Sequence, residues 1–320
     1  MTIKPIVISV LFCLATALIA PLIGSTPIDY SQAFAGASPH KEILFEVRLP
    51  RVILSLLAGG MLAVAGLLFQ SLLRDALATP YTLGVSSGAS LGAVFALSVG
   101  LPGLWFWSQA GALMALALVL VIARQAGRMS TFTLLLAGVT INSMCLALVL
   151  FLQSISTAGS TVLITRWLMG SIDTVEPEAL ILLACVTVPA AVVLYLRARD
   201  WNLLALGEDW AASRGVSVQR VLLLGYLLGS LLTGAVTTLT GPIGFIGLIV
   251  PHALRLRLGA DQRLLFPVCF FTGAGFLTLC DTAARTMLAP SEVPVGVITA
   301  LVGGPVFIYL LRRRSGSAIS

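Results

Sequence analysis

The groups in this sequence that could do chemistry are few and thinly spread. Asp281 and Arg285 stand four residues apart in an otherwise apolar run, a spacing that puts both on one helix face and lets the pair neutralise itself. A carboxylate at membrane depth is costly and therefore often functional, so Asp281 is open between a structural salt bridge and a working ion site. Arg48 and Arg51 form a second basic pair, flanking Pro50. His40 and His252 are the two histidines, and neither has a Cys, His or carboxylate partner at ligand spacing. Cys13, Cys145, Cys185, Cys269 and Cys280 all fall in apolar stretches without a CxxC pair and read as small core residues. No metal site, catalytic residue or bound cofactor is therefore assigned to this chain. HExxH is absent, and with lysine only at Lys4 and Lys41 no GxxxxGK[ST] phosphate loop can form.

The elements that must position these groups are built for lipid. Of 320 residues, 58% are hydrophobic and 10% charged, with a mean hydropathy of +1.04, whereas soluble domains carry roughly 25% charged residues. The net charge of +6 and pI of 9.4 could suggest nucleic acid in a soluble chain. Here the basic residues sit in short clusters between apolar runs, the pattern of membrane topology, and nucleic acid is set aside.

A crossing helix needs about 20 mostly apolar residues, and about ten such runs can be placed, at 5–23, 52–73, 83–99, 104–123, 133–155, 179–196, 221–239, 243–258, 264–287 and 295–311. The first reads as an uncleaved anchor, with cleavage near Ala15-Thr16-Ala17 the alternative. A polar stretch, 24–47, separates it from the second. The apolar segment 161–170 is too short to cross and is expected to rest at the surface or dip in. The run at 243–258 is interrupted by Gly244, Gly247 and Pro251. Interrupted helices are tolerated where protein or a water-filled cavity satisfies the loosened backbone, which sets this one against a pathway. Gly84, Gly88 and Gly92, and again Gly225 and Gly229, allow close helix approach, within the chain first and across a dimer seam second.

With the N-terminus inside, one face collects Lys4, Arg74, Arg124, Arg128, Arg197, Arg199, Arg214, Arg220, Arg255, Arg257, Arg263 and Arg312 to Arg314. The other keeps only Lys41, Arg48, Arg51, Arg166 and Arg285. Both termini are expected to be cytoplasmic. On that side the longest loop, 197–220 (RARDWNLLALGEDWAASRGVSVQR), is helix-prone from Leu203 to Arg214 and turns at Gly215. Leu203, Leu204, Leu206, Trp210 and Val216 are more apolar than a solvated loop needs, which suggests a socket on a partner.

Arg48-Leu49-Pro50-Arg51, the stretch QSLLRDALATPYTLGVSSGASLG from Gln70 to Gly92, Leu134-Leu135-Leu136-Ala137-Gly138, Leu206-Gly207-Glu208, GPIGFIGLIVPHALR from Gly241 to Arg255, Asp281 with Arg285, and EVPVGVITALVGGP from Glu292 to Pro305 follow one another in order. Over nearly its whole length the chain resembles the FecCD family of ABC permeases, importers of iron-siderophores, haem and vitamin B12. The resemblance implies an all-α type II ABC importer permease fold occupying residues 1–320 as a single transmembrane domain of about ten helices. It also implies a homodimer around a central path, two cytoplasmic ATP-binding subunits that hold the ATP and magnesium, and a periplasmic substrate-binding protein, in a bacterial inner membrane.

The coupling helices of that family match Leu203, Leu204, Leu206, Gly207, Glu208, Trp210, Ala211, Arg214, Gly215 and Val216. Its outward-facing arginines, which pair with carboxylates of the binding protein, match Arg48, Arg51 and Arg285; the planar guanidinium suits a bidentate carboxylate. Alternatively Arg48 and Arg51 anchor the second helix at the interface. The gate and pathway positions fall on Leu77, Ser130, Thr131, Phe132 and Asn142. Here the chain departs from the family, with Asp75-Ala76-Leu77-Ala78 in place of Asn-Pro-Leu-Ala and Phe132 in place of a small polar residue. ATP-driven import without chemistry in this subunit is the reading; a gradient-driven transporter or channel, which would carry cargo unaided, is the alternative.

Overall fold

The computed structural model describes residues 3–125 and 131–316, with the side chains of 124, 125, 131 and 311–316 left aside. The described chain is helical from end to end. In order come α1 (Lys4–Ile19), α2 (Tyr30–Phe34), α3 (His40–Glu42), α4 (Leu49–Leu72), α5 (Val85–Val99), α6 (Leu104–Gln125), α7 (Thr131–Ile155) and α8 (Ala158–Leu168). They are followed by α9 (Pro177–Leu196), α10 (Ala198–Leu206), α11 (Glu208–Ser213), α12 (Val218–Thr240), α13 (Ile246–Leu258), α14 (Gln262–Thr286) and α15 (Val295–Gly316).

Among the described residues, 7 helical stretches are long and apolar enough to cross a bilayer, and α5 and α15 are shorter apolar helices. With α13 these account for every run the sequence marks out. The fold corrects the boundaries at the second. Residues His40–Leu72 form one 33-residue helical stretch, in which a wide π segment, Ile43–Arg48, joins α3 to α4. The expected polar loop therefore ends in helix. Its apolar Ile43, Leu44, Phe45 and Val47 are interleaved with Glu42, Glu46 and Arg48, so hydropathy alone does not reveal it.

α4 is the axis of the fold. It packs on α14, α12, α13 and α9, and 83% of its apolar window is buried, against 22% for α9. Close approach explains much of this. A Cβ on Gly66 would collide with the backbone of Gly247 at the start of α13, and Gly59 and Gly273 face each other across α4 and α14. The expected glycine seam also falls within the chain, as Gly88 and Gly92 of α5 abut the backbone of Gly111 and Trp107 of α6.

The cysteine expectation needs one correction. Cys13, Cys145, Cys269 and Cys280 are buried, but Cys185 lies exposed on α9. The interruptions expected at Gly247 and Pro251 are absent, since α13 runs unbroken from Ile246 to Leu258; the break falls just before it, where residues 241–245 are not helical and Phe245 takes a left-handed φ of 69°. That conformation is an outlier for a bulky side chain and marks a position fixed by its surroundings. Phe245 packs on Gly303 of α15, where any Cβ would overlap it.

Candidate functional site

At one end of the α4–α14 pair lies a buried knot of charge. Asp281, fully enclosed, accepts hydrogen bonds from Arg51 Nε at 3.1 Å and Nη2 at 3.0 Å. The other face of the Arg51 guanidinium donates through Nη1 to both oxygens of Glu292, at 3.1 and 2.9 Å. Arg285 Nε stands 3.2 Å from Asp281 Oδ2, an ionic contact without a directed hydrogen bond. Arg285 Nη2 donates to the carbonyl of Ala20 at 3.3 Å. Arg48 is turned inward as well, donating to the carbonyls of Pro21 and Thr26. Two carboxylates thus offset the Arg51 and Arg285 charges in a site sheltered from water, where an unpaired ion would be costly.

This corrects the outward-facing placement expected for Arg48, Arg51 and Arg285. They are 5%, 7% and 4% exposed, and their donors serve this chain's own carboxylates and carbonyls. The spacing of Asp281 and Arg285 did signal their pairing. Arg51 and Glu292, which lie 241 positions apart, gave no such signal.

The expected pathway residues separate. Asn142 lines a half-open cavity of about 500 Å³ together with Tyr81, Ser87, Ser90, Leu146 and Gly244, and no charged side chain lines it. The cavity draws on α5 and α7 and on Pro242 and Gly244 of the irregular 241–245 segment. Leu77 and Phe132 are exposed and do not line it. Phe132 is ten residues before Asn142 on α7, about 15 Å at 1.5 Å per residue. Ser130 lies outside the described residues; Thr131 begins α7, its side chain undescribed.

At the opposite end, α10 and α11 form a short two-helix knuckle. The single helix expected from Leu203 to Arg214 is broken at Gly207, whose φ of 141° stops α10 and starts α11. Trp201 anchors the knuckle: it is fully buried and its Nε1 donates to the Leu194 carbonyl at 2.9 Å. The sequence reading missed it, although Trp201 and Leu204 share a helical face. Leu204 and Ala211 are also buried and belong to this anchor, not to a docking surface.

What projects is narrower than expected. Leu206 is 72% and Trp210 49% exposed. The Arg214 guanidinium lies 4.9 Å over the Trp210 ring, and Glu208 pairs with Arg74 after α4 at 3.2 Å. Leu203, Gly207 and Val216 are half-buried, and Gly215 turns the chain at a φ of 82°.

A hydrogen-bonded chain leads from this knuckle into the bundle. Asn202 Nδ2 donates to Asp261 Oδ1, and Asn202 Oδ1 accepts from the Gln262 backbone N–H, both at 2.8 Å. Asp261 is the N-cap of α14, so these bonds clamp α10 to the start of that helix. Gln262 Nε2 then donates to Ser71 Oγ at 2.8 Å, and Arg255 Nη2 reaches the same oxygen at 3.3 Å. Gln70 Nε2 donates to the Leu248 carbonyl at 3.2 Å, in the first turn of α13. α13 is thereby tied near both ends to the last turn of α4. No member of the chain was singled out from sequence, since all are ordinary polar residues at the ends of apolar runs.

The assembled features, an all-helical bundle with an irregular break before α13 beside an uncharged cavity and an anchored two-helix knuckle, are those of an ABC transporter permease. The backbone superposes on a solved structure described as an inward-facing conformation of a metal-chelate type ABC transporter, with a TM-score of 0.88, 31% sequence identity and coverage of 98% of this chain and 100% of that one. Residues 9–313 match the FecCD transport family, and the chain belongs to it.

Among its relatives, a hemin transport system permease of Yersinia pestis is 39% identical over 279 residues, covering 85% of this chain and 84% of that protein. A vitamin B12 import system permease of Klebsiella pneumoniae is 38% identical over 277 residues, covering 85% and 83%. An ABC transporter permease of Bacillus subtilis without an assigned cargo is 40% identical over 300 residues, covering 90% and 85%.

Proposed function

We propose that this chain is the pore-forming subunit of an ATP-driven importer that moves a metal chelate, of the haem, cobalamin or iron-siderophore kind, from periplasm to cytoplasm across a bacterial inner membrane. Two copies enclose the path, two ATP-binding subunits seat on their knuckles, one on each copy, and a periplasmic binding protein delivers the cargo. Both termini face the cytoplasm, the side on which most basic residues fall. The relatives' cargoes and the uncharged cavity support this reading. A wall without fixed charge suits large chelates that differ in charge, and leaves selection to the binding protein.

One observation carries the coupling step: the exposed Leu206 and Trp210 sit on a knuckle clamped by Asn202 to the first turn of α14. When the ATPases close, α10 moves, Gln262 moves with it, and the shared Ser71 hydroxyl passes the displacement to Arg255 and α13. Gln70 Oε1, Gln262 Oε1 and Arg255 Nε make no hydrogen bond among the described residues, so the cluster has spare groups with which to re-pair as it shifts.

For the outer arginines we assign an organising role. They hold the end of α1, α4, α14 and the approach to α15 in one arrangement, and so shape the surface on which the binding protein lands. The deciding experiment reconstitutes the whole complex in liposomes and compares wild type with Trp210→Ala and Leu206→Ser. Cargo-stimulated ATP hydrolysis and uptake are expected to fall together while the permease folds normally. Uptake by the permease alone under an ion gradient would overturn the reading.

A further inference from the structure

A groove on the far side of α13 has no part in the path described above. One portion, of about 450 Å³, is lined by Lys4, Pro5, Phe12, Leu254, Arg257 and Thr272 among others. A second, of about 270 Å³, shares Phe12, Leu254, Arg257 and Thr272 and continues over Ile249 and Phe276. Shared walls make them one slot between α1, α13 and α14. The Phe12 ring lies against Gly275 of α14, where a Cβ would overlap it, so the floor is formed by direct helix packing.

The slot is chemically asymmetric. Its deeper part is aliphatic and aromatic. Its mouth carries the exposed Lys4, first residue of α1, and the exposed Arg257, in the last turn of α13. Neither cation has a carboxylate within ion-pair distance among the described residues.

Two unneutralised cations at the head of an apolar slot in a membrane-embedded surface complement one ligand chemistry, an anionic phosphodiester headgroup carrying acyl chains. Arg257 offers a planar fork for phosphate oxygens and Lys4 a compact charge beside it. We propose that this groove binds an anionic phospholipid, its phosphate between Lys4 and Arg257 and one acyl chain laid along Phe12, Leu254 and Phe276. Zwitterionic lipid fills the same slot less well, because its headgroup carries its own cation to the mouth.

The test uses the full chain, alone and assembled with its ATPase, exchanged into detergent with phosphatidylglycerol or phosphatidylcholine of identical acyl chains and examined by native mass spectrometry. Wild type should retain phosphatidylglycerol in preference to phosphatidylcholine. In Lys4→Gln/Arg257→Gln the retained phosphatidylglycerol should fall about tenfold or more, with phosphatidylcholine unchanged. Arg257→Lys should restore most of the preference, which separates charge recognition from a folding defect. Equal retention of the two lipids by wild type, or undiminished phosphatidylglycerol in the double variant, would overturn the proposal. So would a cross-link from Phe12→Cys to a second copy of the chain in place of bound lipid.

Discussion

The two ends of the α4–α14 pair are held by opposite chemistries. At one end Arg51, Asp281, Glu292 and Arg285 form an ionic knot, buried except for Glu292; at the other Gln262 and the single cation of Arg255 meet at the Ser71 hydroxyl, and the Gln70 amide donates to the Leu248 carbonyl of α13. Mutual attraction in the knot offsets desolvation only while every partner stays in place, so displacing one leaves an ion buried alone. Neutral hydrogen bonds cost far less to break, and several atoms of that cluster have spare capacity. The difference bears on the proposed coupling: in that reading the ionic end serves as the fixed pivot and the amide end as the one that yields when α10 is pushed.

The strongest way to break this comparison is to delete Asp281. Asp281→Ala strands Arg285 and leaves Arg51 with Glu292 alone, and should lower stability by about 3–5 kcal/mol, read as an early thermal transition of the purified permease; a loss below ~1 kcal/mol would mean the knot is not the rigid end. Next is Gly247→Val, which forces α13 off Gly66 and the Leu62 carbonyl of α4. Overpacking of this kind costs about 1–3 kcal/mol and should abolish uptake. Gln262→Leu is the sharper probe of the yielding end. It should cost only about 1 kcal/mol of stability, yet the ratio of cargo moved to ATP hydrolysed should drop severalfold, since α10 then pushes on α14 without engaging Ser71. An unchanged ratio would remove the relay. Arg74→Gln, which breaks the exposed pair with Glu208, should change stability by less than ~1 kcal/mol and become silent at high salt.

Much of this architecture was legible in the sequence because lipid imposes a length and a polarity on every crossing. The runs, the short apolar segment that became α8, the break before α13 and the knuckle region all follow from that constraint. What hydropathy does not encode is which helix is inside. α4 and α9 have nearly the same mean hydropathy, 2.4 and 2.6, yet 83% of one and 22% of the other is buried. In lipid an apolar surface is stable against either neighbour. The signal that separates them is the small-residue content of α4, with Gly59, Gly60 and Gly66 at the contacts.

The site was legible in the same uneven way. The knuckle proposed for coupling showed itself through apolar residues in a polar loop, and its anchor, Trp201, was hidden among them. The arginines were visible as residues but not as partners. Arg51 meets Asp281 and Glu292 only after the chain has crossed the membrane many times, and no local spacing records that meeting.

The continuous helical stretch from His40 to Leu72 is 33 residues long, about 50 Å at 1.5 Å per residue, well beyond the ~30 Å of a bilayer's hydrocarbon core. Arg51 stands 21 residues before Leu72 on it, about 32 Å away. With Leu72 near the inner headgroups, the charge knot rides at the opposite rim of the oil, where headgroup water begins. In the proposed orientation a membrane a few ångströms thicker would pull that rim past the knot, and a more upright stance of this helical stretch would offset the mismatch.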